Sequence, residues 1–153
     1  MNILQNNVFV SQEELNIQKD FSEKVHSILS ARFSECAPKA FIHTYGCQGN
    51  EADSEVMAGI FEQLGYTYNE DAATSDVVLL NTCAIRENAE NRIWGVLGNL
   101  KEPKRNNKDM IIGICGCMPQ EENATNKILE SYDFIDIVFG THNRHHFCTF
   151  AKL

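Results

Sequence analysis

The cysteines are the residues of this chain that point most directly to chemistry, because a thiolate can bind a metal or act as a nucleophile. The chain has six cysteines: Cys36, Cys47, Cys83, Cys115, Cys117 and Cys148. Residues 1–16 contain no apolar run long enough for a secretory signal peptide, and no stretch approaches the length of a membrane span. Cysteines in such a chain are expected to bind metal or serve catalysis rather than form disulfides, and a cytoplasmic location is expected.

Three of these cysteines, Cys47, Cys83 and Cys117, occupy equivalent positions in the sequence pattern. Each follows an apolar segment that predicts a strand and precedes a segment that predicts a helix. The three strand segments are Ala40–Tyr45, Asp76–Thr82 and Met110–Cys115. Loops that follow parallel strands open at one edge of a sheet. The pattern therefore predicts that three thiols from separate loops converge on one point.

The elements that must position these thiols alternate along the chain. The predicted helices are Asn50–Leu64, Ala84–Lys101 and Pro119–Tyr132, and a last strand covers Ile135–Phe139 before a short helix capped by Thr141. The polar segment Glu102–Asp109, which contains Pro103, is predicted to be a loop. This alternation predicts an α/β fold with three layers: a parallel sheet of about four to five strands flanked by helices, Rossmann-like or flavodoxin-like.

An N-terminal extension of mostly helical structure is predicted over residues 1–38, ahead of a domain over residues 39–153. Ser11 and Glu14, three residues apart, are typical of a capping box. The apolar residues that follow fall mostly on one stripe at helical spacing: Leu15, Ile17, Phe21, Val25, Ile28 and Leu29. The sequence therefore predicts a helix starting near Ser11.

Two kinds of metal centre, and no metal at all, are compatible with three convergent thiols. Helix N-termini beside the cysteines favour thiolates, and Gly46 and Gly116 permit tight turns close to a bulky inorganic ligand. Structural zinc usually has four protein ligands, whereas an iron–sulfur cubane held by three cysteines leaves one iron open for chemistry. Buried cysteine is also common in protein cores, which is the interpretation for Cys115. Cys36 and Cys148 are assigned no role.

The charge balance argues against a free-standing nucleic-acid-binding domain. The chain has 13 basic and 21 acidic residues, for a net charge of -8, whereas such domains are normally basic. One small group of basic residues is interpreted as part of a solvated loop: Lys101, Lys104, Arg105 and Lys108. Three histidines are interpreted as polar surface rather than metal ligands: His142, His145 and His146.

The cysteines lie within three ordered motifs. Residues 44–50 read TYGCQGN and are followed by DSE at 53–55, residues 81–89 read NTCAIRENA, and residues 116–120 read GCMPQ. Over about residues 40–146 these motifs resemble the methylthiotransferase family, and the residues after Cys83 and the GTHN at 140–143 resemble its MiaB-type tRNA branch. Gly49 and Pro119 depart from the residues usual in that family, which are methionine and alanine.

The resemblance implies that residues 39–153 are the N-terminal [4Fe–4S]-binding domain of such an enzyme, truncated before a radical S-adenosylmethionine (SAM) domain. It implies that Cys47, Cys83 and Cys117 hold the cluster. Five further side chains are expected close to the cluster: Gln48, Asn50, Asn81, Arg86 and Glu87. From the residues alone, Asn50 could equally cap a helix.

The resemblance also implies what the whole enzyme does. It would add a methylthio group to C2 of N6-isopentenyladenosine next to the tRNA anticodon, with sulfur from this cluster and a radical from a second [4Fe–4S] cluster and S-adenosylmethionine. The second cluster requires Cys-x3-Cys-x2-Cys, a spacing that the six cysteines do not provide. The chain alone is therefore expected to be inactive and to bind tRNA weakly, because the radical SAM and C-terminal RNA-binding domains are missing.

Other functions stay open at this point. Related methylthiotransferases act on threonylcarbamoyladenosine in tRNA or on a ribosomal protein. A zinc-binding or metal-free α/β binding module is the alternative from a different class.

Overall fold

Five parallel strands form one sheet in the computed structural model, which describes residues 11–83, 87–120 and 122–140. The strands are β1 (Lys39–Tyr45), β2 (Thr67–Tyr68), β3 (Val77–Thr82), β4 (Ile111–Gly116) and β5 (Ile137–Gly140). Their order in the sheet is β2-β1-β3-β4-β5. The predicted parallel sheet is confirmed, and β2 is an addition because its two exposed residues give no apolar run.

Helices cover both faces of this sheet. They are α1 (Gln12–Arg32), α2 (Gln48–Gln63), α3 (Glu87–Asn106) and α4 (Glu122–Ser131), with short 3-10 turns at Ala72–Thr74 and Met118–Gln120. Successive residues of β3 face opposite sides: Leu79 packs with α1 and α2, whereas Leu80 packs with α3 and α4. Every residue of β3 is buried, as expected for a central parallel strand. The predicted three-layer architecture is confirmed.

The N-terminal helix packs on the domain through its last turns. The Ser11 side chain accepts a hydrogen bond from the Glu14 N–H (3.1 Å), so the predicted N-terminal cap is confirmed. Val25 and Leu29 are buried in the core beneath α2. Other members of the apolar stripe remain exposed, at 47–52 % of their surface: Leu15, Ile17 and Ile28. The stripe therefore marks the helix correctly but only partly marks the core.

The prediction of a loop over Glu102–Asp109 is wrong for its first five residues, which are helical, and holds for residues 107–109, which form a turn. Helix α3 continues through Pro103 to Asn106. A proline removes one backbone donor, but contacts distant in sequence hold the last turn. The Lys104 ammonium donates to the Met110 carbonyl and pairs with Asp136 (2.9 Å). Lys104 is thus a well-buried structural residue, with 14 % of its side chain exposed, and is not part of a solvated basic loop.

The third βα connection also differs from the prediction. The chain forms a 3-10 turn at Met118–Gln120, and the described part of α4 begins at Glu122. Pro119 thus lies in that turn rather than in the first turn of α4. The short helix predicted after Thr141 lies outside the described residues. Among the helices that the structure describes, none is long and apolar enough to cross a membrane.

Candidate metal centre

The strand ends place the three candidate ligands at one edge of the sheet. Strands β1, β3 and β4 are direct neighbours, and their last residues, Tyr45, Thr82 and Gly116, are in register. Cys83 and Cys117 follow this row immediately, and Cys47 follows it after one glycine. Two backbone hydrogen bonds extend the sheet beyond the row: Cys83 N–H donates to the Tyr45 carbonyl (3.0 Å) and Cys117 N–H to the Thr82 carbonyl (2.8 Å).

The three thiols differ in exposure and interact with one another. Cys47 is exposed, Cys117 is half-buried and Cys83 is buried. Burial raises the pKa of the Cys117 thiol, and negative charge on Cys83, Cys47 and Asp53 raises it further. The cysteines are therefore close enough for their charges to oppose one another. A positively charged centre between them would relieve that repulsion.

The donor set of three cysteine thiols suits an iron–sulfur cluster, because such clusters take soft sulfur ligands. Three thiolates around one zinc lie roughly 3.8 Å apart, because each Zn–S bond is about 2.3 Å. Within the described residues, no group of three or more His, Cys, Asp or Glu side chains is placed to hold a single ion. A cubane has several irons and spans a wider triangle of soft sulfur ligands, which is the donor type that such clusters take.

Within the described residues, Cys47 is the cysteine seen to cap a long helix directly. Cys47 is the N-cap residue of α2, and Gln48 is the exposed first residue of that helix. Cys117 precedes the 3-10 turn rather than α4. The described part of α3 begins at Glu87, four residues after Cys83, and Arg86 lies outside the described residues. The dipole of α2 thus acts directly on Cys47.

Asn50 connects the first two cysteine loops. Its Oδ1 accepts hydrogen bonds from the Cys47 N–H (3.4 Å) and thiol (3.2 Å), so Asn50 does cap α2. Its Nδ2 donates to Asn81 Oδ1 (2.9 Å) and to the Thr82 carbonyl (3.2 Å), next to Cys83. Asn50 is therefore more than a cap, because it also holds the end of β3.

Asn81 returns these interactions from the other side. Its Nδ2 donates to the Asn50 carbonyl (2.7 Å) and to Ser54 Oγ (2.9 Å). Ser54 in turn shares a hydrogen bond with Thr44 Oγ1 (2.7 Å). Asn50, Asn81 and Ser54 are all buried. Sequence reasoning named the two asparagines but missed Ser54 and Thr44, although both lie in the motif around Cys47.

The remaining cysteines stay apart from this group. Cys115 is fully buried in the core beneath α2, with its sulfur 3.8 Å from Met57 Sδ, so its interpretation as a core residue is confirmed. Burial, with a smaller contribution from Asp53, raises the pKa of the Cys115 thiol and keeps it neutral. Cys36 is exposed beyond the end of α1, and Cys148 lies outside the described residues.

Comparison with known proteins agrees with the motifs. Residues 39–140 match a family described as "Uncharacterized protein family UPF0004". A tRNA-2-methylthio-N(6)-dimethylallyladenosine synthase of Bacillus anthracis is 53% identical over 136 residues, which are 88% of this chain and 26% of that protein. The protein of the same name from Anoxybacillus flavithermus (strain DSM 21510 / WK1) is 51% identical over 88% of this chain and 25% of its own length. The chain thus spans about a quarter of the length of these relatives. The UPF0004 match covers two thirds of the chain, so the chain belongs to this family, as the N-terminal domain found in tRNA methylthiotransferases.

Proposed function

We propose that this chain is the domain of a tRNA methylthiotransferase that binds a [4Fe–4S] cluster through Cys47, Cys83 and Cys117. The observation that supports this most strongly is the register of the three strand ends that precede these cysteines. Three thiols from loops 36 and 34 residues apart in sequence come to one edge of the sheet. A core cysteine such as Cys115 requires no such coincidence.

When bound, the cluster supplies sulfur for transfer at an iron without a protein ligand. The residues of this chain bind and orient it. The thiolates of Cys47, Cys83 and Cys117 would hold the cluster, and the N-terminus of α2 would stabilise negative charge at Cys47. Cys47 is the exposed member of the three and Cys83 the buried one, so we infer that substrate and the rest of the enzyme would approach from the side of Cys47.

The substrate is proposed from the relatives' names. Both name 2-methylthio and N(6)-dimethylallyladenosine, so we favour an isopentenylated adenosine of tRNA over threonylcarbamoyladenosine or a ribosomal protein. The second [4Fe–4S] cluster, S-adenosylmethionine and most tRNA contacts belong to radical SAM and RNA-binding domains of the same polypeptide, in the cytoplasm. The net charge of -8 agrees with weak binding of tRNA by this domain alone.

Anaerobic reconstitution tests the ligand assignment. The wild-type chain should take up about four irons and four sulfides, the complement of one cubane. Replacing Cys47, Cys83 or Cys117 by Ala should lower that complement. Cys36→Ala and Cys148→Ala are the matched controls and should leave it unchanged. Full iron and sulfide uptake by all three site variants, or one zinc per chain without sulfide, would contradict the proposal.

A second experiment tests whether this domain alone can generate the radical and modify tRNA. The reconstituted chain, incubated with S-adenosylmethionine, a reductant and isopentenylated tRNA, should form neither 5′-deoxyadenosine nor methylthiolated adenosine. The reason is that radical generation needs a cofactor site of its own. Either product would show that this chain carries more of the active site than we propose.

A further inference from the structure

The backbone carbonyl of Thr82 is a junction for all three cysteine loops. It accepts hydrogen bonds from the Cys117 N–H (2.8 Å) and from Asn50 Nδ2 (3.2 Å), and it belongs to the residue directly before Cys83. The Thr82 hydroxyl donates to the Cys115 carbonyl (2.9 Å), which fixes the third loop a second time. Thr82 is fully buried. Movement of any one cysteine loop is therefore transmitted to the other two.

Asn50 and Asn81, which we call the amide clamp, hold this junction in place. All four side-chain polar atoms of the clamp have partners. Asn50 Oδ1 accepts from the Cys47 N–H, and Asn50 Nδ2 donates to Asn81 Oδ1 and to the Thr82 carbonyl. Asn81 Nδ2 donates to the Asn50 carbonyl and to Ser54 Oγ. Buried amides are costly to leave unpaired, because they lose their bonds to water without gaining others. Only the bond from the Cys47 N–H to Asn50 Oδ1 is needed to cap α2. The other bonds join α2 to the end of β3, which a helix cap does not require.

The glycines before two of the cysteines make room for the clamp. A Cβ at position 46 would lie 2.5 Å from Asn50 Oδ1, and a Cβ at position 116 would lie 2.6 Å from Asn81 Oδ1. By contrast, a Cβ at Gly49 would be in ordinary contact with Cys47 Sγ at 3.6 Å. Gly46 and Gly116 are thus required by close packing against the two amides and not only by turn geometry.

We propose that the amide clamp is a positioning device that sets the separation of the three sulfurs before any iron binds. The inference rests on the proposed function, because it assigns to these sulfurs a common ligand. A site prepared in advance avoids the cost of ordering three loops during binding. Asn50 and Asn81 act through the cysteine loops and are positioning residues, not cluster ligands.

The test uses nearly isosteric changes in the clamp. Asn50→Asp and Asn81→Asp each replace the donating NH2 by an oxygen that faces acceptor oxygens. Asn99→Asp, at an exposed position of α3, is the matched control. Each variant is first checked for folding by circular dichroism and thermal melting. After reconstitution, we expect folded clamp variants to lose iron to a chelator about 10–100 times faster than wild type, and to show a shifted electron paramagnetic resonance signal when reduced. The control should match wild type.

Gly46→Ala provides a second route if the Asp variants fail to fold. It leaves both amides present but pushes Asn50 aside, and it should accelerate iron loss in the same direction. Gly98→Ala is its control, because a Cβ there meets no described atom within 4 Å. Folded clamp or Gly46→Ala variants that retain iron at the wild-type rate with an unchanged signal would overturn the proposal.

A measurement without iron separates this inference from the proposed function. In the iron-free protein, backbone hydrogen exchange at the Cys47 and Cys117 amides should accelerate in clamp variants, while exchange at Leu80 in the core of β3 should not. If wild type takes up no cluster, the proposed function fails and the exchange rates alone decide whether the clamp orders the loops. Unchanged exchange at both cysteines would refute the clamp in that case as well.

Discussion

Different side-chain hydrogen bonds stabilise the amino and carboxyl edges of the parallel sheet. At the amino edge, carboxylates accept from backbone N–H groups at strand starts: Asp76 Oδ2 from Lys39 (2.7 Å) and Asp136 Oδ2 from Ile112 (2.8 Å). At the carboxyl edge, the neutral amides of Asn50 and Asn81 do the joining, fully shielded from water. Charged groups near solvent can stabilise strand starts, but the same charges beside thiolates would oppose their ionisation. The side chains that join the strands at the carboxyl edge are thus neutral, and the charge near the cysteines comes from Asp53, which raises the pKa of the Cys117 thiol.

The largest effect is expected at the carboxyl edge, from Gly116→Ala. Gly116 has φ +104°, a region that L-residues rarely adopt, and an added Cβ would collide with the Thr82 carbonyl. Strain and overpacking together should lower the free energy of unfolding by about 3 kcal/mol or more, measured by denaturant titration. Gly95→Ala is the matched control and should not destabilise, since a Cβ there meets no described atom within 4 Å. A loss below about 1 kcal/mol for Gly116→Ala would mean that the junction tolerates movement.

A smaller effect is expected at the amino edge, from Asp136→Ala. The change removes the acceptor of the Ile112 N–H and leaves Lys104 without its ionic partner. The free energy of unfolding should fall by about 2 kcal/mol, because hydrogen bonds to charged groups are worth about 1.5–3 kcal/mol. Iron retention by the reconstituted variant should stay at the wild-type value, provided the measurement is made where the variant is folded. Faster iron loss from the folded variant would show that the amino edge also affects the cysteine site, which would contradict the distinction between the two edges.

The smallest effect concerns pH and Tyr66, which lines a cavity near Asp76 at the amino edge. Burial, with a further contribution from Asp76, raises the pKa of Tyr66 to about 12 from an ordinary value near 10. The folded protein therefore holds this proton more tightly than the unfolded chain. The stabilisation is complete below pH 10 and is lost as the pH rises from about 10 to 12.

Comparison with Tyr66→Phe isolates this contribution, because other groups titrate equally in both proteins. The unfolding free energy of wild type should fall relative to that of Tyr66→Phe as the pH rises across that range. A constant difference would show that the Tyr66 hydroxyl ionises as it does in water.

The parts of the fold that sequence predicts are those whose signal is local. Strands β3 and β4 contain continuous apolar runs, which is the sequence pattern typical of buried parallel strands. Three cysteines at the ends of such runs indicate a shared edge without knowledge of any contact. Spacing alone leaves the chemistry of that edge open between an iron–sulfur cluster, zinc and a plain protein core.

The parts that sequence misses depend on distant or backbone partners. Helix α3 passes Pro103 because Lys104 reaches Asp136, 32 residues away. The junction at Thr82 is a backbone carbonyl. Every residue has one, so the residue type at position 82 does not indicate this role. Strand β2 has only two residues, both exposed, which is too short for any periodic pattern.

The register of Tyr45, Thr82 and Gly116 has a consequence for the order of events during folding. The three sulfurs become neighbours only when β1 has paired with β3 and β3 with β4, and both pairings join segments more than 30 residues apart. Such non-local parallel pairing forms slowly, because loop closure precedes the gain from contacts. In a nascent or unfolded chain, Cys47, Cys83 and Cys117 are therefore not yet neighbours, and Cys115 is the one cysteine close in sequence to any of them. We expect cluster insertion to be a late step that follows completion of the sheet and does not guide it.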